Sequence, residues 1–240
     1  MKEIENLKNQ FGWRYIAIIF AVYGLNQGVG EGWLSFASDY FLVDQKPIGM
    51  GIHPDEKSAI EGVSLIPWQI KALFGILSDT IPIYGYHRTY YIVFAGIVGT
   101  LVWIFLGFLI PISMLINSTT FVSILLLLGN YSIASPDVMI DASIAEKSRN
   151  FPHLASDMQT LCWVSFGVGK ILSQFTSGPI YEALGSRGLF TLTGLTSIAI
   201  LIPSLSHWLN EERNPDDIRP LCPPYTKKLR QSLEVSLLLL

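Results

Sequence analysis

Long apolar runs separated by short polar segments form the dominant pattern of the chain. The longest run, residues 89–136, contains no Asp, Glu, Lys, Arg or His over 48 residues. A membrane-spanning helix needs about 20 residues, so this run predicts two spans with a turn at Pro111 and residues 117–120. The same criterion applied to the other apolar runs adds four spans. The six predicted spans lie at roughly 15–39, 60–79, 90–110, 121–145, 157–181 and 188–208.

The composition agrees with an all-α membrane protein. Half of the residues are hydrophobic and 15% are charged, whereas soluble domains carry about 25% charged residues. Such apolarity excludes a disordered chain, and two cysteines are too few for a disulfide scaffold. A net charge of −3 argues against a nucleic-acid partner. A soluble helix bundle is the alternative, which six successive apolar runs disfavour.

The distribution of basic residues predicts the orientation of the six spans. Eleven of the 16 Lys and Arg lie before the first span, after the sixth, or in the loops that share that side. Because cytoplasmic loops carry an excess of positive charge, both termini are predicted to be cytoplasmic. The predicted domains are a cytoplasmic segment 1–12, a six-helix transmembrane domain 13–209, and a cytoplasmic tail 210–240.

Several polar side chains fall within the predicted spans. Each charge in a bilayer costs about 2.5–3.5 kcal/mol on insertion scales, so such residues usually face an aqueous path or a partner. Asp137 and Asp141 share one helix face at i, i+4 spacing, and two close carboxylates raise each other's proton affinity. The candidate substrate or proton pathway comprises six residues: Gln27, Glu31, Lys71, Asp137, Asp141 and Lys170.

These charges also have structural interpretations. Lys170 on the fifth span could simply oppose Asp137 and Asp141 in a buried ion pair. Gly24, Gly28 and Gly32 recur every fourth residue, which leaves one helix face bare for close packing. In this interpretation Glu31 lies near the outer interface beside that packing face.

Motifs for catalysis are absent from the sequence. It contains no Walker loop and no nucleophile with a paired base, and its four histidines lack metal-ligand spacing. The sequence therefore predicts no enzyme, no cofactor and no metal site. Mid-span polar residues without a nucleotide-binding motif point to a secondary transporter.

Four sequence blocks resemble one transporter family. Residues 75–79 (GILSD), followed by 85–88 (GYHR), resemble the major facilitator superfamily signature between its second and third helices. The longer spacing through Pro82, with 67–73 (PWQIKAL) before it, is similar to the folate–biopterin transporters. So are 27–32 (QGVGEG), 137–142 (DVMIDA) with Glu146, and 157–163 (DMQTLCW). His87 departs from the pattern, because the family usually has a second arginine there.

The resemblance implies the amino-terminal six-helix half of a carrier of folates, pterins or related organic anions. It implies alternating access, proton coupling, and a lipid environment with a second six-helix half or a homodimer as partner. Lys71 and Lys170 would pair with the carboxylates of the substrate. The implied cytoplasmic gate motif consists of Gly75, Asp79, Gly85 and Arg88. The alternative is a truncated, non-transporting membrane protein, or a half-transporter subunit that needs a partner.

Overall fold

The fold is helical throughout the residues that the computed structural model describes, namely 2–46, 48–116 and 118–213. In that part of the chain, Ile83 and Tyr86 form an isolated bridge and no strand is present. The helices are α1 (Lys2–Ile19), α2 (Glu31–Val43), α3 (Pro54–Ser64), α4 (Ile66–Gln69), α5 (Lys71–Thr80), α6 (Thr89–Ile104), α7 (Ile112–Ile116), α8 (Thr119–Asn150) and α9 (Ala155–Leu205). Phe20–Gly30 and Phe105–Leu109 are π-helical, and Pro152–Leu154 is a single 3₁₀ turn.

The first predicted span lies within a longer helical stretch. Gly12 interrupts α1 with φ +80°, a conformation that glycine adopts without steric cost, and helix then continues from 13 to 43 through the π-helical segment. This stretch packs along α9. A Cβ on Gly28 would lie 2.7 Å from the Phe166 carbonyl oxygen, and one on Gly32 would overlap the Ser173 side chain. The predicted close packing on the glycine face is thus confirmed.

The second predicted span, 60–79, is not one continuous helix. Helices α3, α4 and α5 follow one another with interruptions at Leu65 and Ile70. Pro67 has no N–H to donate to the carbonyl four residues earlier, and its ring crowds the preceding turn, which accounts for the first interruption. The second interruption makes Lys71 the first residue of α5.

Three helices in the described residues are long and apolar enough to cross a membrane: Thr89–Leu109, Thr119–Asn150 and Pro152–Leu205. The last contains α9, whose 51 residues do not form one continuous helix. Gly185, with φ +68° and ψ −178°, divides α9 into helical parts 155–184 and 186–205. The predicted turn at Pro111 contains the short helix α7. Asn117 and most of the predicted tail, residues 214–240, lie outside the described residues.

The Thr89–Leu109 helix packs closely against the second part of α9. A Cβ on Gly96 would lie 2.7 Å from Leu201 Cδ2, and one on Gly107 would lie 2.7 Å from the Thr191 backbone nitrogen. Arg187, just after the break, donates through Nη2 to the Ile110 carbonyl oxygen at 2.7 Å. The carboxyl-terminal end of this helix therefore receives a positively charged donor, which complements the helix dipole.

Two hydrophobic clusters lie at different levels along the helices. One contains Tyr15, Tyr91 and Met158, at the end of the bundle where α5 ends and α6 begins, which we call the Arg88 end. The other contains Phe41 and Trp103 and lies toward the opposite end. Buried polar side chains also occur along these helices: Asn26, Gln27, Asn130, Ser132, Ser135 and Asp137.

Candidate functional site

Lys71 and Asp137 form an ion pair between α5 and α8. The Asp137 side chain is 4% exposed, whereas that of Lys71 is 35% exposed. Lys71 Nζ also lies 4.4 Å from the ring centroid of Trp68, a cation–π arrangement. The interruption at Ile70 places Trp68 and Lys71 on two different short helices that both pack on α8.

Asn130 extends this pair along α8. Trp68 donates through Nε1 to Asn130 Oδ1 at 3.1 Å, and Asn130 donates to the Leu126 carbonyl oxygen at 3.0 Å. Asn130 also lines a cleft of about 380 Å³ together with Glu31 of α2 and Ser64 of α3. That volume is within the range of about 300–1,000 Å³ found for small-molecule pockets.

The wall of this cleft contains three acidic residues and one lysine among serines and apolar side chains. Lys57 Nζ lies 2.8 Å from Asp39 Oδ1 and 3.3 Å from Glu61 Oε1, and all three residues line the cleft. Lys57 therefore links α2 to α3 across the cleft.

The π-helical segment adds two polar side chains that contact α8. Tyr23 donates to Asp141 Oδ1 at 2.6 Å, and Asp141 is otherwise exposed on the bundle surface. Asn26 donates through Nδ2 to the Ser132 carbonyl oxygen at 3.2 Å. Pro136, four residues later, cannot satisfy that carbonyl because it lacks an N–H, so Asn26 supplies the missing donor.

Gln27 is buried, and its Oε1 has no hydrogen-bond partner among the described residues. It lies one turn from both Tyr23 and Glu31 on the same helical stretch. A buried acceptor without a donor costs about 1–3 kcal/mol. Such an atom is therefore available to a donor group on a ligand or to water.

One interpretation of the sequence paired Lys170 with Asp137 and Asp141, but the structure shows neither ion pair. Lys170 Nζ lies 2.9 Å from Glu31 Oε1, and the two side chains are 28% and 32% exposed. The glycine-mediated contact between the first helical stretch and α9 explains this pairing, since it brings Glu31 beside Lys170. The lysine that neutralises Asp137 is Lys71.

The structure brings the predicted gate residues together at the Arg88 end. Arg88 forms one ion pair with Glu146 of α8 and another with Asp79 of α5, in which Nη2 lies 3.4 Å from Oδ1. Its guanidinium side chain is only 12% exposed, and the cluster borders a cleft of about 550 Å³. Glu146, which sequence reasoning placed in a family block but not in the motif, belongs to this cluster.

The two glycines of the motif have different structural roles. Gly85 has φ +82° and follows Tyr84 at φ +54°. Ile83 and Tyr86 exchange two backbone hydrogen bonds of 2.9 and 3.0 Å across them, which is the geometry of a two-residue turn with left-handed central residues. Gly75 faces α8 without a steric need for glycine, because a Cβ there would lie 3.6 Å from Val138 Cγ1, an ordinary van der Waals contact.

Glu211 is a residue of this end that the sequence patterns did not identify. Its carboxylate accepts hydrogen bonds from the backbone N–H groups of His87 (2.5 Å), Arg88 (3.0 Å) and Thr89 (3.0 Å), and from Thr89 Oγ1 (2.8 Å). It lies in a polar segment after the last apolar run, where hydropathy carries no signal. Only an acidic pair, residues 211–212, marks the position in the sequence.

These side chains can bind an organic anion and can exchange partners. Lys71 and Lys170 are cations with exposed surface, and each pairs with one carboxylate among the described residues. An anionic ligand could replace that carboxylate if the carboxylate were neutralised or moved. Arg88 is less available to such a ligand, because its guanidinium already has two acidic partners.

Comparison with known proteins supports a transporter relationship. The model of the BT1 family matches residues 27–234. The chain is 34% identical over 190 residues to "Probable folate-biopterin transporter 2" of Arabidopsis thaliana, covering 79% of this chain and 36% of that protein. It is 29% identical over 219 residues to the "Folate-biopterin transporter" of Synechocystis sp., covering 89% of this chain and 42% of that protein.

A more distant relative is "Folate transporter 1" of Plasmodium falciparum, which is 25% identical over 165 residues and is matched over 31% of its length. No solved structure matches the chain. The chain spans less than half the length of these curated relatives, and their names describe membrane transporters rather than enzymes. On the family model and these relatives, the chain belongs to the BT1 family of folate–biopterin transporters.

Proposed function

We propose that the chain forms one half of a secondary transporter for folates, pterins or related organic anions. The single observation that carries this proposal is the Lys71–Asp137 pair, in which a buried carboxylate holds a partly exposed lysine. An anion carrier needs a cation in its pathway that is neutralised when the substrate is absent. The names of the relatives supply the substrate class.

Proton coupling is proposed to act through that pair. A proton on Asp137 would release Lys71, which could then bind a carboxylate of the substrate. Loss of the proton would restore the pair and expel the anion. Asp141, one turn away and bonded to Tyr23, is the second carboxylate to which a proton could pass.

Alternating access is proposed to use the Arg88 end as a gate. Asp79 and Glu146 come from two different helices and meet on one guanidinium. Separating α5 from α8 would break at least one of these ion pairs. The gate therefore has a closed state that charge pairing stabilises.

The proposed topology has six spans with both termini cytoplasmic. The helical stretch 13–43, the broken segment α3–α5, the Thr89–Leu109 helix, α8 and the two parts of α9 would be the spans. Reporter fusions after Asn9 and Asn150 should read cytoplasmic, and one after Ile116 should read external. A cytoplasmic reading at Ile116 would contradict this topology.

The pathway is proposed to lie between this six-helix unit and a second one. Asp141 is exposed, and Glu31 and Lys170 are each about one third exposed. Charged groups facing lipid are costly, whereas a facing protein wall or water satisfies them. The second unit would be another copy of the chain or a complementary half.

Uptake of radiolabelled folate into proteoliposomes tests the proposal. One sample contains the 240-residue chain, and the other contains a chimera in which it replaces the matching part of the Synechocystis relative. We expect accumulation in the chimera, driven by a pH gradient, and none with the chain alone. Lys71→Met should abolish it, while Lys8→Met, which removes an exposed lysine outside the spans, should not.

Each outcome has a defined meaning. A chimera that inserts normally but takes up no folate or pterin would refute the transport role. Accumulation by the chain alone would refute the need for a complementary half and would identify the second unit as another copy of the chain. Uptake that persists without a pH gradient would refute proton coupling.

A further inference from the structure

Glu211 closes the amino-terminal end of α6 from a distant part of the chain. The first N–H groups of a helix have no partner within it, and the positive end of the helix dipole favours an anion. Glu211 meets both needs at the start of α6, where it accepts from the N–H and hydroxyl of Thr89, the first helical residue, and from the N–H of the cap residue Arg88. It also accepts from the N–H of His87, just before the helix. It follows α9 and lies 122 positions from Thr89.

The segment that carries Glu211 is itself fixed to the first helix. Asn210 donates through Nδ2 to the Phe11 carbonyl oxygen at 3.0 Å, and the Trp208 and Trp13 rings lie 4.9 Å apart, edge to face. His207 stacks on Tyr86 of the turn before α6, with ring centroids 5.0 Å apart. Residues 207–211 therefore join three elements at the Arg88 end.

Glu211 accepts a hydrogen bond from the backbone N–H of Arg88, and the side chain of Arg88 forms both ion pairs of the gate. Fixing the Arg88 backbone limits where its guanidinium can reach. Asp79 and Glu146 have side chains that are 59% and 62% exposed, so they have freedom to move. The best-anchored member of the cluster is therefore Arg88, and its anchor is Glu211.

We propose that Glu211 is a positioning residue for the Arg88 ion-pair cluster, through which the segment after α9 holds that cluster closed. The description of the cluster as a gate rests on the function proposed above. The contacts that position Arg88 do not rest on that function, because they lie within the chain and involve no substrate. A displacement of residues 207–211 would free the first turn of α6 and loosen Arg88 from its two acidic partners.

The test measures opening of the cluster by thiol labelling in liposomes without folate, so it does not depend on transport. Ala142 lines the cleft beside Asp79 and Arg88, and Ala142→Cys in a Cys222→Ser background provides the reporter, since Cys162 is buried. Glu211→Ala should raise the labelling rate about five- to thirtyfold, the factor that corresponds to losing a helix cap of about 1–2 kcal/mol. Glu211→Gln should give a smaller rise, because it keeps an acceptor oxygen.

Two comparisons separate positioning from a purely structural cap. Glu212→Gln is the matched control, because Glu212 makes no hydrogen bond among the described residues, and labelling should stay within about twofold. Arg88→Gln keeps the backbone N–H that Glu211 accepts but removes the guanidinium. In that background Glu211→Ala should add less than about twofold, since the cluster it positions is already open.

A rise of the same factor in both backgrounds would overturn the proposal and leave Glu211 as a helix cap only. Unchanged labelling in Glu211→Ala would overturn it as well. If Glu211→Ala is not inserted, Glu211→Gln is compared in the same two backgrounds, with the same criteria. Failure of folate uptake in the chimera, with this labelling pattern intact, would count against the transport proposal alone.

Discussion

Breaking the Lys71–Asp137 pair from its two sides should have unequal effects on stability. Lys71→Ala leaves a carboxylate that is 4% exposed without its cation, whereas Asp137→Asn leaves an ammonium group on a side chain that is 35% exposed. The freed lysine keeps its contact with the Trp68 ring, 4.4 Å away, and can reach water. We therefore expect Lys71→Ala to be the more destabilising change.

The magnitude follows from the unequal burial of the two groups. An uncompensated buried charge costs about 3–5 kcal/mol. Lys71→Ala should thus cost about 3–5 kcal/mol, and Asp137→Asn about 1 kcal/mol, because the remaining lysine is solvated.

The assay is chemical or thermal unfolding in detergent followed by tryptophan fluorescence. The double variant Lys71→Met with Asp137→Asn should recover most of the loss of Lys71→Ala, since a neutral pair of similar volume leaves no buried charge. Equal losses in the two single variants, or no recovery in the double variant, would refute this reasoning.

Two further predictions concern the contact between the first helical stretch and α9. Gly28→Ala should destabilise the protein by about 1–3 kcal/mol in the same assay, because its Cβ would lie 2.7 Å from a carbonyl oxygen. Gly62→Ala is the control, because a Cβ there would meet nothing within 4 Å. It should be neutral or stabilise the protein by up to about 1 kcal/mol. Equal effects would contradict the packing argument. Lys170→Glu and Glu31→Lys should each impair uptake by the chimera described above, and the double exchange should restore part of it. If the double exchange restores nothing, a positive charge is required at position 170 itself, and the ion pair alone does not explain the loss.

Hydropathy and charge were sufficient to predict most helices but not their continuity. The charge-free run 89–136 contains the Thr89–Leu109 helix and the first half of α8, as expected. The interruptions at Leu65 and Ile70 were not predicted, whereas the break at Gly185 falls between the predicted fifth and sixth spans. Continuity depends on backbone geometry at single residues, such as Pro67 and Gly185, and these have little weight in a hydropathy pattern.

The pathway residues were identifiable because charge within an apolar run is rare, but their partners were not. Asp137 has lysines on two other predicted spans as candidate partners, and sequence spacing cannot choose between Lys71 and Lys170. The choice is made by helix packing, in which the glycine face of the first helical stretch brings Glu31 to Lys170. Glu211 was missed for a different reason, since its role depends on the end of another helix.

The closure of the Thr89–Leu109 helix at both ends has a consequence for synthesis. Glu211 contacts its amino-terminal end and Arg187 contacts the carbonyls at its other end, and both come from the flanks of the last part of α9. At about 5–20 residues per second, the 122 positions between Thr89 and Glu211 take roughly 6–24 s to translate. During that interval the newly inserted helix must rely on water, lipid headgroups or a chaperone at its ends, and a ribosome stalled before residue 211 would leave it uncapped.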